Sequence, residues 1–304
     1  MIRYLRHEEI DREAWDHTVE GALAGLPYAL SWVLDLMSPG WEGLVSAGYE
    51  LVFPLPVRKK LFLRGALQPP FLQQLGPYAG RPVRQEDVRA LTEALPPHLH
   101  YVDLWLNEQT PMEGWTGKVE RMRNILLTLD PGAPRRYHTN MRRNLKKFTV
   151  AGWSVQEEND PAVAAAMVDL FRRGQGKAYG HLREEHYDRL VRLHRHFLER
   201  GMARLLTVRD GKVLVCAALF IVWRQRWIFH FSATDPHRRD HHLLAGILDH
   251  FIREHAGSGK ILDLEGAQAE GLARFYKGLG GEERFFPRWR LHRLPRPWEW
   301  LGRS

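Results

Sequence analysis

The side chains best suited to chemistry in this 304-residue chain are a pair of carboxylates and several closely spaced cations. In Ile261-Leu262-Asp263-Leu264-Glu265, strand alternation puts Asp263 and Glu265 on one face, roughly 6.5–7 Å apart. Two carboxylates so placed are costly unless they face a cleft or a cation. One reading is a site that holds or deprotonates a basic group. The other is a pair of salt bridges to neighbouring arginines. Between Tyr137 and Phe148 the spacing predicts a helix whose apolar stripe is Tyr137, Met141, Leu145 and Phe148. Arg142 with Lys146, and Arg143 with Lys147, then form i,i+4 pairs of like charge on the remaining surface. Such rows repel unless an anion lies near. They read either as a phosphate-binding face or as a solvated one. Arg238 and Arg239 stand among His237, His241 and His242, and Arg58, Lys59, Lys60 and Arg64 make a further basic patch.

Lys plus Arg exceed Asp plus Glu by eight (44 − 36), which favours anionic partners. A single cysteine excludes an internal disulfide and a cysteine-rich zinc site. Cys216 lies within the apolar run Val213 to Phe220, where a thiol reads as a small hydrophobe, with a nucleophile as the alternative. The sixteen histidines include no His-Glu-x-x-His pattern, so no metal is expected. The N-terminus has no apolar core of a secretory signal. The longest apolar run, Val213 to Trp223, is well short of the ~20 residues that cross a bilayer. A cytoplasmic protein without a transmembrane segment is expected.

The elements that must position these residues are clearest in the second half. Asn159-Asp160-Pro161 starts a helix to Arg173, and a second follows over Glu184 to Arg200. Strands follow at Ala203 to Val208, Lys212 to Trp223 and Arg226 to Ala233, the first two joined through Asp210-Gly211. A helix at Leu243 to His255, a strand at Ile261 to Leu264, a helix at Glu270 to Leu279 and a strand at Glu283 to Arg293 complete the half. The first half gives a blurred copy of this order: strands at 2–5, 43–47, 49–59, 101–106 and 124–129, and helices at 8–18, 31–37 and 82–95. Two α/β lobes sharing one topology are expected, 1–133 and 134–304, divided near Pro131-Gly132-Ala133-Pro134.

Three stretches carry a family resemblance. They are Gln68-Pro69-Pro70-Phe71-Leu72-Gln73-Gln74-Leu75-Gly76-Pro77-Tyr78; Tyr137 to Phe148 with Ala151-Gly152-Trp153-Ser154-Val155; and Leu262-Asp263-Leu264-Glu265-Gly266 with Ala273-Arg274-Phe275-Tyr276-Lys277-Gly278-Leu279-Gly280-Gly281. In this order they resemble the Fem-like, tandem-GNAT acyltransferases across nearly the whole chain. The resemblance implies two GNAT lobes, each a mixed, mainly antiparallel sheet flanked by helices, with the active site in the second. One departure concerns the donor. Where GNAT enzymes place a glycine-rich pyrophosphate loop, this chain has Asp235-Pro236-His237-Arg238-Arg239-Asp240-His241-His242, without glycine. Fem-type enzymes lack that loop too and draw on charged tRNA. The departure favours aminoacyl-tRNA over acetyl-CoA or another acyl-CoA, although Arg238 and Arg239 could hold phosphates by side chain. No tightly bound cofactor is implied.

Acyl transfer to an amine requires a neutral amine, a donor to the developing oxyanion and a proton for the leaving group. With the resemblance, Asp263 or Glu265 becomes a candidate to hold or deprotonate the amine, Lys277 to stabilise the oxyanion or a donor phosphate, and Tyr276 to give a proton. Taken alone, Tyr276 and Lys277 read as a half-buried tyrosine and a surface lysine. The expected function is transfer of an aminoacyl or acyl group to an amine, with a nucleotide- or lipid-linked precursor as a possible acceptor. Two rivals stand: acetyl-CoA-dependent acetylation of a small amine, and a non-catalytic RNA-binding protein on the same fold. Donor, acceptor, pathway and oligomeric state are not set by the sequence.

Overall fold

The computed structural model of the chain describes residues 1–60, 63–178, 180 and 182–293, without the side chains of Lys60, Lys177 and Ala178. The Lys60 cation of the first-half basic patch therefore lies outside the described residues.

In the first half, β1 (Ile2–Leu5) leads to α1 (Arg12–Gly21), whose start is set by Asp11 accepting from the Ala14 N–H at 3.1 Å. Then follow α2 (Ser31–Met37), β2 (Glu42–Ser46), β3 (Leu51–Leu55), β4 (Val57–Lys60), β5 (Leu63–Leu67), β6 (Tyr78–Ala79), α3 (Gln85–Glu93), β7 (Leu99–Trp105) and β8 (Lys118–Thr128). In the second half come α4 (Thr139–Val150), β9 (Gln156–Glu157), α5 (Pro161–Arg173), α6 (Glu184–Glu199), β10 (Ala203–Asp210), β11 (Val213–Trp223), β12 (Arg226–Thr234), α7 (Leu243–His255), β13 (Ile261–Asp263), α8 (Glu270–Gly278) and β14 (Glu282–His292).

Two compact units result: Met1–Met122 with the chain from Phe285 onward, and Arg123–Arg284. The division expected at 133/134 therefore falls earlier, and the end of the described chain returns to the first unit. Pairing explains both differences. Residues 126–128 of β8 pair antiparallel with β13, so the end of β8 belongs to the second unit's sheet. Residues 288–292 of β14 pair with 101–105 of β7, and Arg288 grips Asp103 at 2.6 and 2.8 Å.

The first unit contains an antiparallel sheet ordered β1-β2-β3-β6 and a group ordered β4-β5-β7-β14 in which β5 and β7 run parallel. The single strand expected over 49–59 is two, because Pro56 lacks the N–H to continue a ladder and the chain changes sheets there. In the second unit the order is β8-β13-β12-β11-β10-β9, again with one parallel step, β12 to β13. From β1 in the first unit and from β9 in the second, the order is strand, two helices, antiparallel strands, helix, parallel strand, the tandem GNAT order.

On one face of the second unit's sheet, α4, α7 and α8 close a core of Met141, Phe148, Ile247, Phe251, Ala273 and Tyr276 over Phe220, Phe229, Leu262 and Leu264. Helices α4 and α7 approach closely at Gly246, where an added Cβ would lie 2.5 Å from the Phe148 ring. Helices α5 and α6 form the other layer: Asp160 caps α5 at 2.8 Å, with Pro161 in its first turn. Among the described residues no helix is long and apolar enough to cross a membrane.

Candidate functional site

Strands β12 and β13 stay paired for only three residues, ending at Ile228 opposite Asp263. Beyond that point β12 runs on to Thr234 while β13 stops, and the chain turns away through Gly266 at φ +79°. On its other edge β12 carries one residue more than β11: Phe220 faces Phe229, whereas Leu219 faces Phe231. The extra residue is His230, and a bulge of this kind redirects side chains and bends the strand. The parallel strands part at their carboxyl ends, and this notch in the ladder has Glu265 beyond the end of β13 and His230 on β12, their side chains 4.0 Å apart.

The two carboxylates expected to act together have different surroundings. Leu262 and Leu264 enter the α4/α7/α8 core, so alternation directs Asp263 and Glu265 to the α5/α6 side. Asp263 is fully buried. Its Oδ2 accepts from Arg226 Nε at 2.9 Å and Nη2 at 2.6 Å, and its Oδ1 accepts from Asn124 Nδ2 at 2.9 Å. Arg226 is itself buried. The salt-bridge reading of the acidic pair thus holds for Asp263. Glu265, nearly buried, instead has Oε2 at 4.0 Å from His230 Nδ1.

His230 is closed in by protein, and burial pushes its pKa down to about 3, so the ring is neutral at neutral pH. The His194 ring, from α6, stands edge-on to it at 5.4 Å. Burial, and then the proximity of His230, holds His194 well below the usual imidazole range, and neither of its ring nitrogens has a hydrogen-bond partner among the described residues. Phe231 packs against His194, and Phe171 of α5 against Phe231.

Tyr276 and Lys277 have different surroundings. Tyr276 is buried in the core on the opposite face, edge-on to Phe229. Lys277, in the last turn of α8, pairs with Glu283, which also accepts from Arg123 Nε at 3.1 Å. The Lys277 bond is the foremost cause holding the Glu283 carboxyl below its usual range.

The two basic segments do come together. On the outer face of α4, Arg142, Arg143, Lys146 and Lys147 are exposed, and Arg142 donates to the Arg135 carbonyl at 2.8 Å. Lys147 lies near enough to His242 for its charge, after burial, to hold that imidazole low. His242 adopts the left-handed conformation at φ +54° and caps α7. Its neighbour His241 accepts from Trp153 Nε1 at 3.3 Å. The Arg238 guanidinium lies 5.8 Å from the Trp153 ring and pairs with Asp210 at 2.5 Å, while Arg239 is exposed. Cations and aromatic surface thus collect at the amino end of α7, where free N–H groups favour anions. A groove of about 640 Å³ between α4 and α7 is lined by Leu145, Phe148, Trp153, Gly246, Asp249 and Arg253, among others, and holds none of the expected site residues.

The sequence reading missed His230, Arg226, Asn124 and the placement of His194. A signal existed for His194: it falls four residues after Leu190 and four before Leu198, within the apolar stripe. None existed for Asn124, whose partner is 139 residues away. Cys216 is buried with its thiol pushed up to about 12, consistent with a core residue.

Residues 135–284 match the family model of the acetyltransferase (GNAT) domain. Among solved structures, the chain resembles FemX at 13% identity, with a TM-score of 0.63 over 91% of this chain and 96% of that one. It also resembles L-PGS from Bacillus licheniformis, at 10% identity and a TM-score of 0.54 over 94% and 92% of the two chains. A tandem GNAT protein from the clavulanic acid biosynthesis pathway matches at 13% identity and a TM-score of 0.52, over 97% and 99%. At such identities these likenesses concern the fold. No curated protein matches the sequence.

Proposed function

We propose, from the acetyltransferase (GNAT) domain match of residues 135–284 and the likeness of fold to FemX, that the second unit moves an aminoacyl or acyl group from an anionic donor onto an amine. The reading is carried by the Glu265 carboxylate at the point where β12 and β13 part. An amine entering the notch attacks the donor's carbonyl carbon, and Glu265 accepts the proton that the nitrogen sheds as the C–N bond forms. Collapse of the tetrahedral intermediate breaks the bond to the leaving group, which takes up the proton that Glu265 gives back, restoring the carboxylate. The products are an amide and a protonated leaving group, with no covalent enzyme intermediate.

Arg143, Lys146, Lys147 and Arg239, with the amino end of α7, are the groups offered to the donor's phosphates. They are side chains on exposed surface, not a glycine-lined backbone cradle. A spread of cations beside Trp153 suits a polyphosphate backbone with bases to stack better than one compact pyrophosphate. Charged tRNA is therefore the preferred donor and acyl-CoA the second. A nucleotide- or lipid-linked amine is the proposed acceptor.

Labelled aminoacyl-tRNA and labelled acetyl-CoA, each presented with a panel of amines, provide the test. Enzyme-dependent loss of label from tRNA into an amide is the expected result, reduced about 10²–10⁴-fold by Glu265→Gln. Loss from acetyl-CoA alone would move the donor to the second reading. RNA binding without turnover of either donor would overturn acyl transfer.

A further inference from the structure

We propose that the first unit carries a ligand site of its own, in the loop 68–78 beside the parallel strands β5 and β7, and that this site takes a neutral, peptide-type amide. The site stands apart from the acyl-transfer reading and does not depend on it. Strands β5 and β7 stay paired as far as Leu67, opposite Asp103. There the chain leaves the ladder and returns at Leu75, which bridges to Leu106 in parallel and donates its N–H to the Trp105 carbonyl at 2.7 Å. Gln68 spans the interruption: its Oε1 accepts from the Trp105 N–H at 3.0 Å, and its Nε2 donates to the Leu72 carbonyl. Asn107 donates to the Pro77 carbonyl at 2.7 Å. Gly76, at φ +102°, lets the backbones meet, since a Cβ there would lie 3.0 Å from the Asn107 nitrogen. The loop is thus held on both sides, at the carboxyl ends of parallel strands, where α/β sheets place their ligands.

Within the loop, Gln74 Nε2 donates to Gln73 Oε1 at 3.1 Å, which leaves Gln73 Nε2 and Gln74 Oε1 with no partner among the described residues. Gln73 is 8% exposed and Gln74 not at all. The orientation of the amides does not alter the count. Turning both leaves one N–H group and one C=O over as before, and turning one alone sets like atoms together. Buried amide atoms without partners cost stability, so a well-packed loop keeps them where a further group fills them. Two residues earlier, Phe71 is held at φ +66°, strain of the kind a fold keeps where it preforms a site. The group that fits must accept from one amide and donate to the other. It is uncharged, because no side chain from Gln68 to Pro77 is ionisable. A carboxylate has no donor and an ammonium no acceptor, whereas a peptide amide has both. Pro70 and Phe71, half-buried in the same loop, offer apolar surface to the rest of such a ligand, and Gln73, the less buried amide, marks its approach.

Side-chain amide NMR of the full chain reads the site, with the two signals assigned through Gln73→Met and Gln74→Met. The probe is N-acetyl-trialanine amide, titrated into the millimolar range. Both signals should shift and saturate, and the same peptide with N-methylated backbone nitrogens should bind about tenfold more weakly or worse. The double variant Gln73→Met, Gln74→Met keeps side-chain volume and removes the unfilled atoms. It should lose the peptide response at the backbone amides of Leu72 and Leu75, while its melting temperature stays at or above that of the wild type. Wild-type signals that ignore the peptide, or that answer its N-methylated form equally, would overturn the proposal and leave the pair bridged by water only. A double variant that melts well below the wild type would overturn it too, by showing both amides already filled within the fold. Should that variant not fold, the wild-type titration with the two peptides decides.

Discussion

Asp263 and Glu265 lie two positions apart, yet substitution should affect them in opposite ways. Glu265→Gln should reduce turnover and leave folding intact. Asp263→Ala strands the Arg226 guanidinium in the interior, and loss of one partner from a buried ion pair costs about 3–5 kcal/mol. A urea midpoint should register that loss, and a joint Asp263→Leu, Arg226→Met replacement should recover much of it. Lys277→Ala is expected to keep the acyl-transfer rate within about tenfold, because its ammonium is engaged with Glu283 at a half-exposed position. A hundredfold loss would show that Lys277 leaves that partner during the reaction. Strand alternation correctly set both carboxylates on one face. It carried no information on which would meet an arginine, because Arg226 and Asn124 come from other strands.

At the scale of elements, the second unit was legible almost to the residue. Its signals are local: the Asp160-Pro161 start of α5, the Asp210-Gly211 turn between β10 and β11, and the 3.6-residue period of α6. The first unit was less so. Strand β5 went unread because Leu63–Leu67 is short and lacks alternation, and its Gly65 sits where a Cβ would meet the Tyr101 ring at 2.4 Å. The meeting of α4 with the segment before α7 leads to a binding prediction. Lys146→Glu with Lys147→Glu should weaken donor binding and flatten its salt dependence, which titration at two ionic strengths would measure. At the contact of the two helices, Gly246→Ala should cost about 1–3 kcal/mol, since Phe148 must move to admit the methyl group. Thermal unfolding would show it.

Acid response belongs to the whole molecule. His194 and His230 have folded pKa values below their unfolded ones, so their contribution to stability is complete above about pH 6.5 and is lost as pH falls towards the folded values, near 3 for His230. Each should cost ~1.4 kcal/mol per pH unit across that window. Unfolding free energies at pH 7 and 5 should differ less in the His194→Phe, His230→Phe variant than in the wild type. An equal difference would mean that neither ring is held neutral. The units make a further prediction: a fragment of residues 123–284 should unfold cooperatively, whereas 134–304 should not, because it lacks the β8 residues paired with β13. Circular dichroism melts of the two would decide it. That boundary was hidden because chain order placed the Pro-rich stretch at 131–134 as the natural break, while pairing between distant strands set the division elsewhere.

The bond from Asn124 to Asp263 spans 139 residues, and this separation bears on how the protein is made. Residues 123–128 leave the ribosome before any of the strands that later enclose them, with Ile125 and Leu127 already committed to a core that does not yet exist. At about 5–20 residues per second, the wait for β13 lasts on the order of ten seconds. Through that interval the segment is an unpaired apolar strand, the form most open to wrong partners. Once β13 arrives and Arg226 and Asn124 close on Asp263, the sheet is sealed by a contact of very high sequence separation. Closure of this kind is slow and comes late. The buried ion pair is thus also a record of folding order, formed only after nearly the whole second unit has been synthesised.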